Sequence, residues 1–269
     1  MPSCTLTNLG TCLIQNLFDF ILAILNAPIQ PFLQMTLNLL SSQVNLNLFF
    51  TMWVIVVYVL SMFYALLLMG TGFNFMISGY DSEKRENAKQ SLRNILIMIV
   101  LVQSSFFIYQ LAIDLSAIIT STTLTLVDPN FFLVGTGGIV DLGIGIVLVF
   151  TYLVTLLLTS IILLIRYAFV AVGVVLFPIA IFFYFMPPLK QYGSLIMNFL
   201  GISIFVTVLD SLILAGFGKL TTVGAIHNFQ VILLISAFLL INIFMFFLLF
   251  FAIIKSGTKV YSVLKKVKP

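Results

Sequence analysis

Charge is the scarcest commodity in this 269-residue chain: Asp, Glu, Lys and Arg together make up 7% of it. A soluble domain carries about 25% charged residues. Hydrophobic residues reach 62%, so a folded surface could not be covered with polar groups, and a disordered chain is equally excluded. Alternating apolar and polar residues, the mark of an outer-membrane barrel, are also missing. His227 is the only histidine, and Cys4 and Cys12 are the only cysteines. They cannot furnish a zinc-type cluster, and a lone loop histidine makes no Ser, His and Asp set. No GxxxxGK[ST] pattern occurs, and no segment is long and polar enough to be a soluble catalytic domain. The chain therefore reads as a non-enzyme without metal or cofactor, whose transport energy would come from a gradient or a separate ATPase. No base-reading motif supports sequence-specific nucleic-acid recognition.

What remains is a string of continuous apolar blocks, which gives the fold class: an all-α, polytopic integral membrane protein. Spans are expected at about 48–77, 94–119, 139–165, 192–217 and 230–254. Residues 1–47 read as an outer-side amphipathic segment. Met1 to Asn16 holds no Lys or Arg, so the basic region of a secretory signal is not expected there. Gln15, Asn16 and Asp19 begin one polar stripe; Gln30, Gln34, Asn38, Ser41 and Asn45 make a second. Pro28 and Pro31 should separate two helices. Residues 167–186 are apolar with Pro178 midway, and 255–269 form a basic tail.

Counting Lys and Arg chooses between topologies. If 167–186 crosses the membrane there are six spans and six basic residues on each side. If it is a proline-broken segment that re-enters or faces the cytoplasm, there are five spans, and eleven basic residues lie inside against Lys219 alone outside. The second arrangement is expected, in the cell membrane, with the N-terminus outside and the C-terminus cytoplasmic.

Polar residues within spans recur on shared faces: Gln103, Gln110 and Asp114; Asp141, Tyr152, Thr155 and Thr159; Ser203, Thr207 and Asp210. These faces read either as the lining of a conduit or as hydrogen-bonded helix contacts. Asp210 is the deepest of the acidic residues and the best intramembrane candidate. The loop 78–93 is the one dense polar stretch, with Asp81 or Ser82 able to cap a helix. Arg85, Lys89 and Arg93 then repeat every four residues. With Arg166 they suit docking of a cytoplasmic partner, attraction of a polyanion, or anchoring to anionic lipid. Cys4 and Cys12, both on the outer side, form a possible disulfide.

Two stretches carry a resemblance. Gly70-Thr-Gly-Phe-Asn-Phe-Met-Ile-Ser-Gly-Tyr-Asp-Ser-Glu-Lys-Arg-Glu-Asn-Ala-Lys89, followed by an apolar span, is one. Arg166-Tyr-Ala-Phe, Leu176-Phe-Pro-Ile-Ala-Ile181 and Met186-Pro-Pro-Leu-Lys-Gln-Tyr192 form the other. Both resemble the TrbL-type polytopic channel subunits of type IV secretion and conjugation systems, over roughly residues 48–218. The short outer loop 120–138 is more similar to the compact archaeal DNA-import proteins of the CedA type. The resemblance implies a conduit subunit for DNA transfer, inward or outward, assembled as a homo-oligomer. Its implied partners are pilin-like subunits, a cytoplasmic motor ATPase, membrane lipid, and DNA as non-specific cargo. The alternatives from other classes are a secondary transporter of small solutes and a plasmid or viral membrane scaffold. One broken segment and an odd span count weigh against the transporter.

Overall fold

The computed structural model describes residues 9–41, 44–80, 82–132, 142–221 and 229–267. Among these residues the regular structure is helical, with no strand. Seven α-helices follow one another: α1 (Leu9–Ser41), α2 (Phe50–Ile77), α3 (Ser82–Gln103), α4 (Ser105–Leu124), α5 (Leu142–Phe185), α6 (Lys190–Leu220) and α7 (Gln230–Val267). Five helical stretches are long and apolar enough to cross a membrane: Leu46–Ile77, Ser105–Leu124, Ile144–Phe185, Lys190–Leu220 and Gln230–Leu248. The chain is a multi-pass membrane protein.

Three expected breaks are absent. Helix α1 runs through Pro28 and Pro31 as one element of 33 residues, not two helices. The two prolines lie three residues apart, so their missing donors fall on one side of a single turn. Ile29, Leu33 and Leu40 are buried along the other side, while Gln30, Gln34 and Asn38 are exposed. Helix α5 continues through Arg166 and Pro178 for 44 residues, so 167–186 is no separate proline-broken segment. A proline inside a helix costs about 3 kcal/mol. Opening the helix within an apolar surround would orphan several peptide groups, each costing several kcal/mol, so continuation is the cheaper course. Helix α7 likewise carries on past the expected span end at 254 to Val267.

The second expected span is the far part of a longer helix. Hydrogen bonds from Ser104 N to Val100 O (3.0 Å) and from Ile108 N to Ser104 O (3.1 Å) carry α3 on into α4. The Ser104 hydroxyl also donates to Val100 O at 2.7 Å, the back-bonding that bends helices.

The chain divides into two compact units. The first comprises Met1–Ser42, Ala117–Ile165 and Thr207–Phe246. In it Tyr152 of α5 stands against Phe238 of α7, with ring centroids 6.0 Å apart. Thr36 of α1 meets Ser160 of α5 through a 2.7 Å hydroxyl contact. The Gln230 side-chain amide donates to Phe131 O at 3.0 Å.

The second unit comprises Gln43–Ser116, Arg166–Val206 and Phe247–Pro269. Helices α2 and α3 form its hairpin, and Trp53 Nε1 donates to Ser105 Oγ at 2.8 Å. Its apolar core is built from Trp53, Val57, Leu60, Met98, Val102 and Phe106, together with Val170, Val174, Leu200 and Ile204. Tyr109 donates to Val170 O at 2.8 Å, and its ring lies tilted against Phe177, centroids 5.3 Å apart. Pro187 and Pro188 end α5, having no donors to extend it. The chain turns through Leu189 N to Met186 O (3.0 Å) into α6. Gly193 there lies against the α5 backbone at Tyr184 and Ala180, leaving no space for a Cβ.

Gly193→Ala should accordingly lower unfolding stability by about 1–3 kcal/mol, because backbone cannot yield as a flexible side chain does. Gly201, with nothing within 4 Å of a built Cβ, is the matched control. There an Ala should be neutral or stabilising by about 0.5–1 kcal/mol. Denaturant unfolding in detergent compares the two; equal effects would contradict the close α5–α6 approach.

Candidate functional site

Side-chain placement separates the candidate residues into a sealed set and an exposed set. In the first unit Thr155 and Thr159 are buried on α5. Thr159 Oγ1 donates to Thr155 O at 2.8 Å, and Thr155 Oγ1 to Tyr152 O at 2.8 Å. Asn242 of α7 donates its amide to Thr155 O at 3.3 Å. These are hydrogen-bonded helix contacts, the packing alternative for that face, with Asn242 Oδ1 enclosed and, among the described residues, accepting no hydrogen bond. Thr207 and Asp210 of α6 are also enclosed, Asp210 completely, and neither is without a partner. Asp141 lies outside the described residues, as does Cys4, so the Cys4–Cys12 pairing is not addressed by the structure. Asn242 was not singled out by the sequence reading, although a lone amide inside the apolar run of α7 was the available signal.

Arg166 belongs to the sealed set as well, and its expected place on a basic rim does not hold. It is 6% exposed. Its Nε donates to Ser203 O at 2.7 Å and its Nη2 to Ile204 O at 3.0 Å, both on α6. The Ser116 hydroxyl of α4 donates to Ile204 O as well, at 2.8 Å. A cation between two apolar runs looks like a loop charge when the helix is thought to stop there. Because α5 continues, the residue sits within a helix and must find its acceptors inside the protein. Two consecutive α6 carbonyls serve, having spare lone pairs beyond their helical bonds.

The exposed set lies on the α3–α4 helix of the second unit. Arg85, Lys89, Arg93, Gln103 and Gln110 are exposed, and Asp114 is half-buried. At 100° per residue, Arg85, Lys89, Gln103, Gln110 and Asp114 fall within a sector about 60° wide. Arg93 sits about 40° beyond its edge. Leu96 and Phe107 share the sector, so it is polar but interrupted. The stretch from Arg85 to Asp114 measures about 44 Å at 1.5 Å per residue. Arg85 is steadied by Phe75 of α2, whose ring centroid lies 5.9 Å from the guanidinium carbon. Electrostatically the sector grades from cationic at the α3 start to neutral amides and one carboxylate further along.

Among the described residues no group of three or more His, Cys, Asp or Glu is placed to hold a metal ion. Comparison with models of known protein families, with curated proteins and with solved structures finds no match.

Replacing Arg166 by Met removes two buried charge-assisted hydrogen bonds, worth about 1.5–3 kcal/mol each. Arg166→Met should therefore unfold at clearly lower denaturant, whereas Arg93→Gln, on the exposed set, should stay within about 0.5 kcal/mol of wild type. Trp53, the only tryptophan, reports on the same unit by its emission. Equal midpoints for both variants would contradict the buried placement of Arg166.

Proposed function

We propose that the chain is a subunit of a homo-oligomeric membrane conduit for DNA. It would work in a type IV-like transfer machine with pilin-like subunits and a separate cytoplasmic ATPase. The observation that carries this reading is the exposed polar sector of α3–α4. A side-chain amide facing hydrocarbon without a partner costs several kcal/mol. Gln103 and Gln110 are exposed within a membrane protein, so this face calls for water or another copy of the chain. A ring of copies satisfies both needs: one face of each copy lines a wet path, and its flanks meet the neighbours. The cationic end, Arg85, Lys89 and Arg93, would attract a polyanion by field without reading its sequence. The resemblance of residues 70–89 and 166–192 to TrbL-type subunits supports the same assignment.

The charge distribution supports an orientation in the cell membrane with the C-terminus in the cytoplasm and the N-terminus outside. With Arg166 buried, eleven basic residues remain, and ten of them share the side opposite Lys219 when the five spans alternate. The chain itself performs no catalysis in this reading, and the ATPase supplies the work.

Cells lacking the gene should lose DNA transfer. Complementation with Gln103→Leu and Gln110→Leu together should restore membrane insertion but leave transfer reduced at least severalfold, because the wet face becomes apolar. Transfer frequency with a marked DNA is the measurement. Unchanged transfer in the deletion strain, with loss of a small-solute flux instead, would replace this reading with a secondary transporter.

A further inference from the structure

Helix α2 borders two concavities, both within the second unit, one wholly apolar and one with polar groups in its wall. The first is an apolar groove of about 460 Å³ between α2 and the end of α5. Ile55, Val59, Phe63 and Leu67 line it from α2, Phe182 from α5 and Met186 from just past the α5 end. No polar surface contributes to its wall. The second is a recess of about 300 Å³ between the end of α2 and the start of α3, with a mixed wall to which Ile77 and Ala88 also contribute. Thr71, Asn74 and Ser78 line one side of it; Lys84, Asn87 and Ser91 line the other.

The two lie end to end on one side of α2. At 100° per residue, the α2 residues of the groove centre only about 40° from those of the recess. Leu67, the last groove residue of α2, and Thr71, the first of the recess, are four residues apart, about 6 Å along the axis. An apolar slot that passes within one turn into a cavity of hydroxyls, amides and an ammonium has the form of an amphiphile. The recess stands at the one dense polar stretch of the sequence, 78–93, which is where a membrane helix meets water.

The geometry points to a bound anionic phospholipid, one per chain, with its phosphate headgroup in the recess and an acyl chain in the groove. The headgroup assignment follows from donors. The Lys84 ammonium, with three N–H groups, the amides of Asn74 and Asn87 and the Ser91 hydroxyl line it as donors. The Thr71 and Ser78 hydroxyls donate to helix carbonyls at Leu67 and Phe75. Among the residues lining the recess none is a carboxylate. Basic recesses between membrane helices bind anionic headgroups on these grounds. The acyl assignment follows from the groove, which exposes only hydrocarbon and would hold methylenes without desolvating any polar atom. The site is independent of what the conduit carries, so its failure would leave the DNA-transfer reading standing.

The test incubates the full-length protein with phosphatidylcholine vesicles containing a minor fraction of phosphatidylglycerol, re-extracts it in mild detergent, and weighs the complex by native mass spectrometry. Wild type should retain one phosphatidylglycerol in preference to phosphatidylcholine. Lys84→Glu and the milder Lys84→Gln should each lower that retention roughly tenfold, the loss of one charge-assisted contact. Val59→Trp should lower retention of both lipids by filling the groove. Circular dichroism confirms that each variant is folded before weighing; Lys84 and Val59 are both exposed, so folding should survive. Equal retention of the two lipids by wild type would overturn the proposal. So would unchanged retention in Lys84→Gln or in Val59→Trp. Inorganic phosphate that binds the delipidated protein and competes phosphatidylglycerol away would also overturn it, by making the recess a free-phosphate site.

Discussion

A peptide group deprived of water must find its partner inside the protein, and this constraint governs most of what the helices do. In hydrocarbon each unmatched N–H or C=O costs several kcal/mol. Pro178 therefore removes one donor from α5 without ending it, since ending it would expose several more groups. The same pressure acts on side chains. Threonine and serine hydroxyls along α5 return to carbonyls one turn back: Thr151 to Val147, Thr159 to Thr155, Ser160 to Leu156. Polar residues handled this way are nearly silent, contributing neither charge nor a free donor to the surface.

Arg166 shows the constraint at its most demanding. Its guanidinium has five N–H donors and cannot be deprotonated to escape burial. The two donors described meet successive carbonyls of α6. Lysine could not reproduce that fork, because its ammonium offers donors from a single point. A cation fastened to two successive carbonyls of a neighbouring helix ties α5 to α6 directionally, which apolar packing alone does not do. The close seating of Gly193 against α5 fixes the same pair of helices by shape. Charge and fit act together on one contact.

The apolar runs made the five crossing helices legible in the sequence, and α2 begins and ends within a few residues of the expected 48–77. The polar periodicity of α5 and α6 falls on enclosed faces, since Tyr152, Thr155, Thr159, Ser203, Thr207 and Asp210 are all buried. It did not reveal whether a polar face looks at protein or at water, because both environments reward the same spacing. Helix continuity was illegible at Pro28, Pro31 and Pro178, where local propensity argues for a stop and the surrounding packing decides otherwise. The depth of Arg166 was lost for the same reason. The recess between α2 and α3 could not be read at all, for it exists only once the two helices of the hairpin are paired.

The two exposed features of the second unit occupy different sides of α3. Lys84, Asn87, Ala88 and Ser91, which line the recess, centre about 120° around the helix from the sector of Arg85, Lys89, Gln103 and Gln110. In a ring of subunits the sides of a helix are not equivalent: one looks to the lumen, another to lipid or to the neighbour. A polar sector on one side and an amphiphile-shaped site on another fit that division without competing for the same surface. The basic residues divide along the same line. Lys84 lines the recess, while Arg85, Lys89 and Arg93 follow the polar sector. Adjacent positions such as Lys84 and Arg85 point about 100° apart on a helix, and that separation places four cations within ten residues on two sides of α3 instead of one.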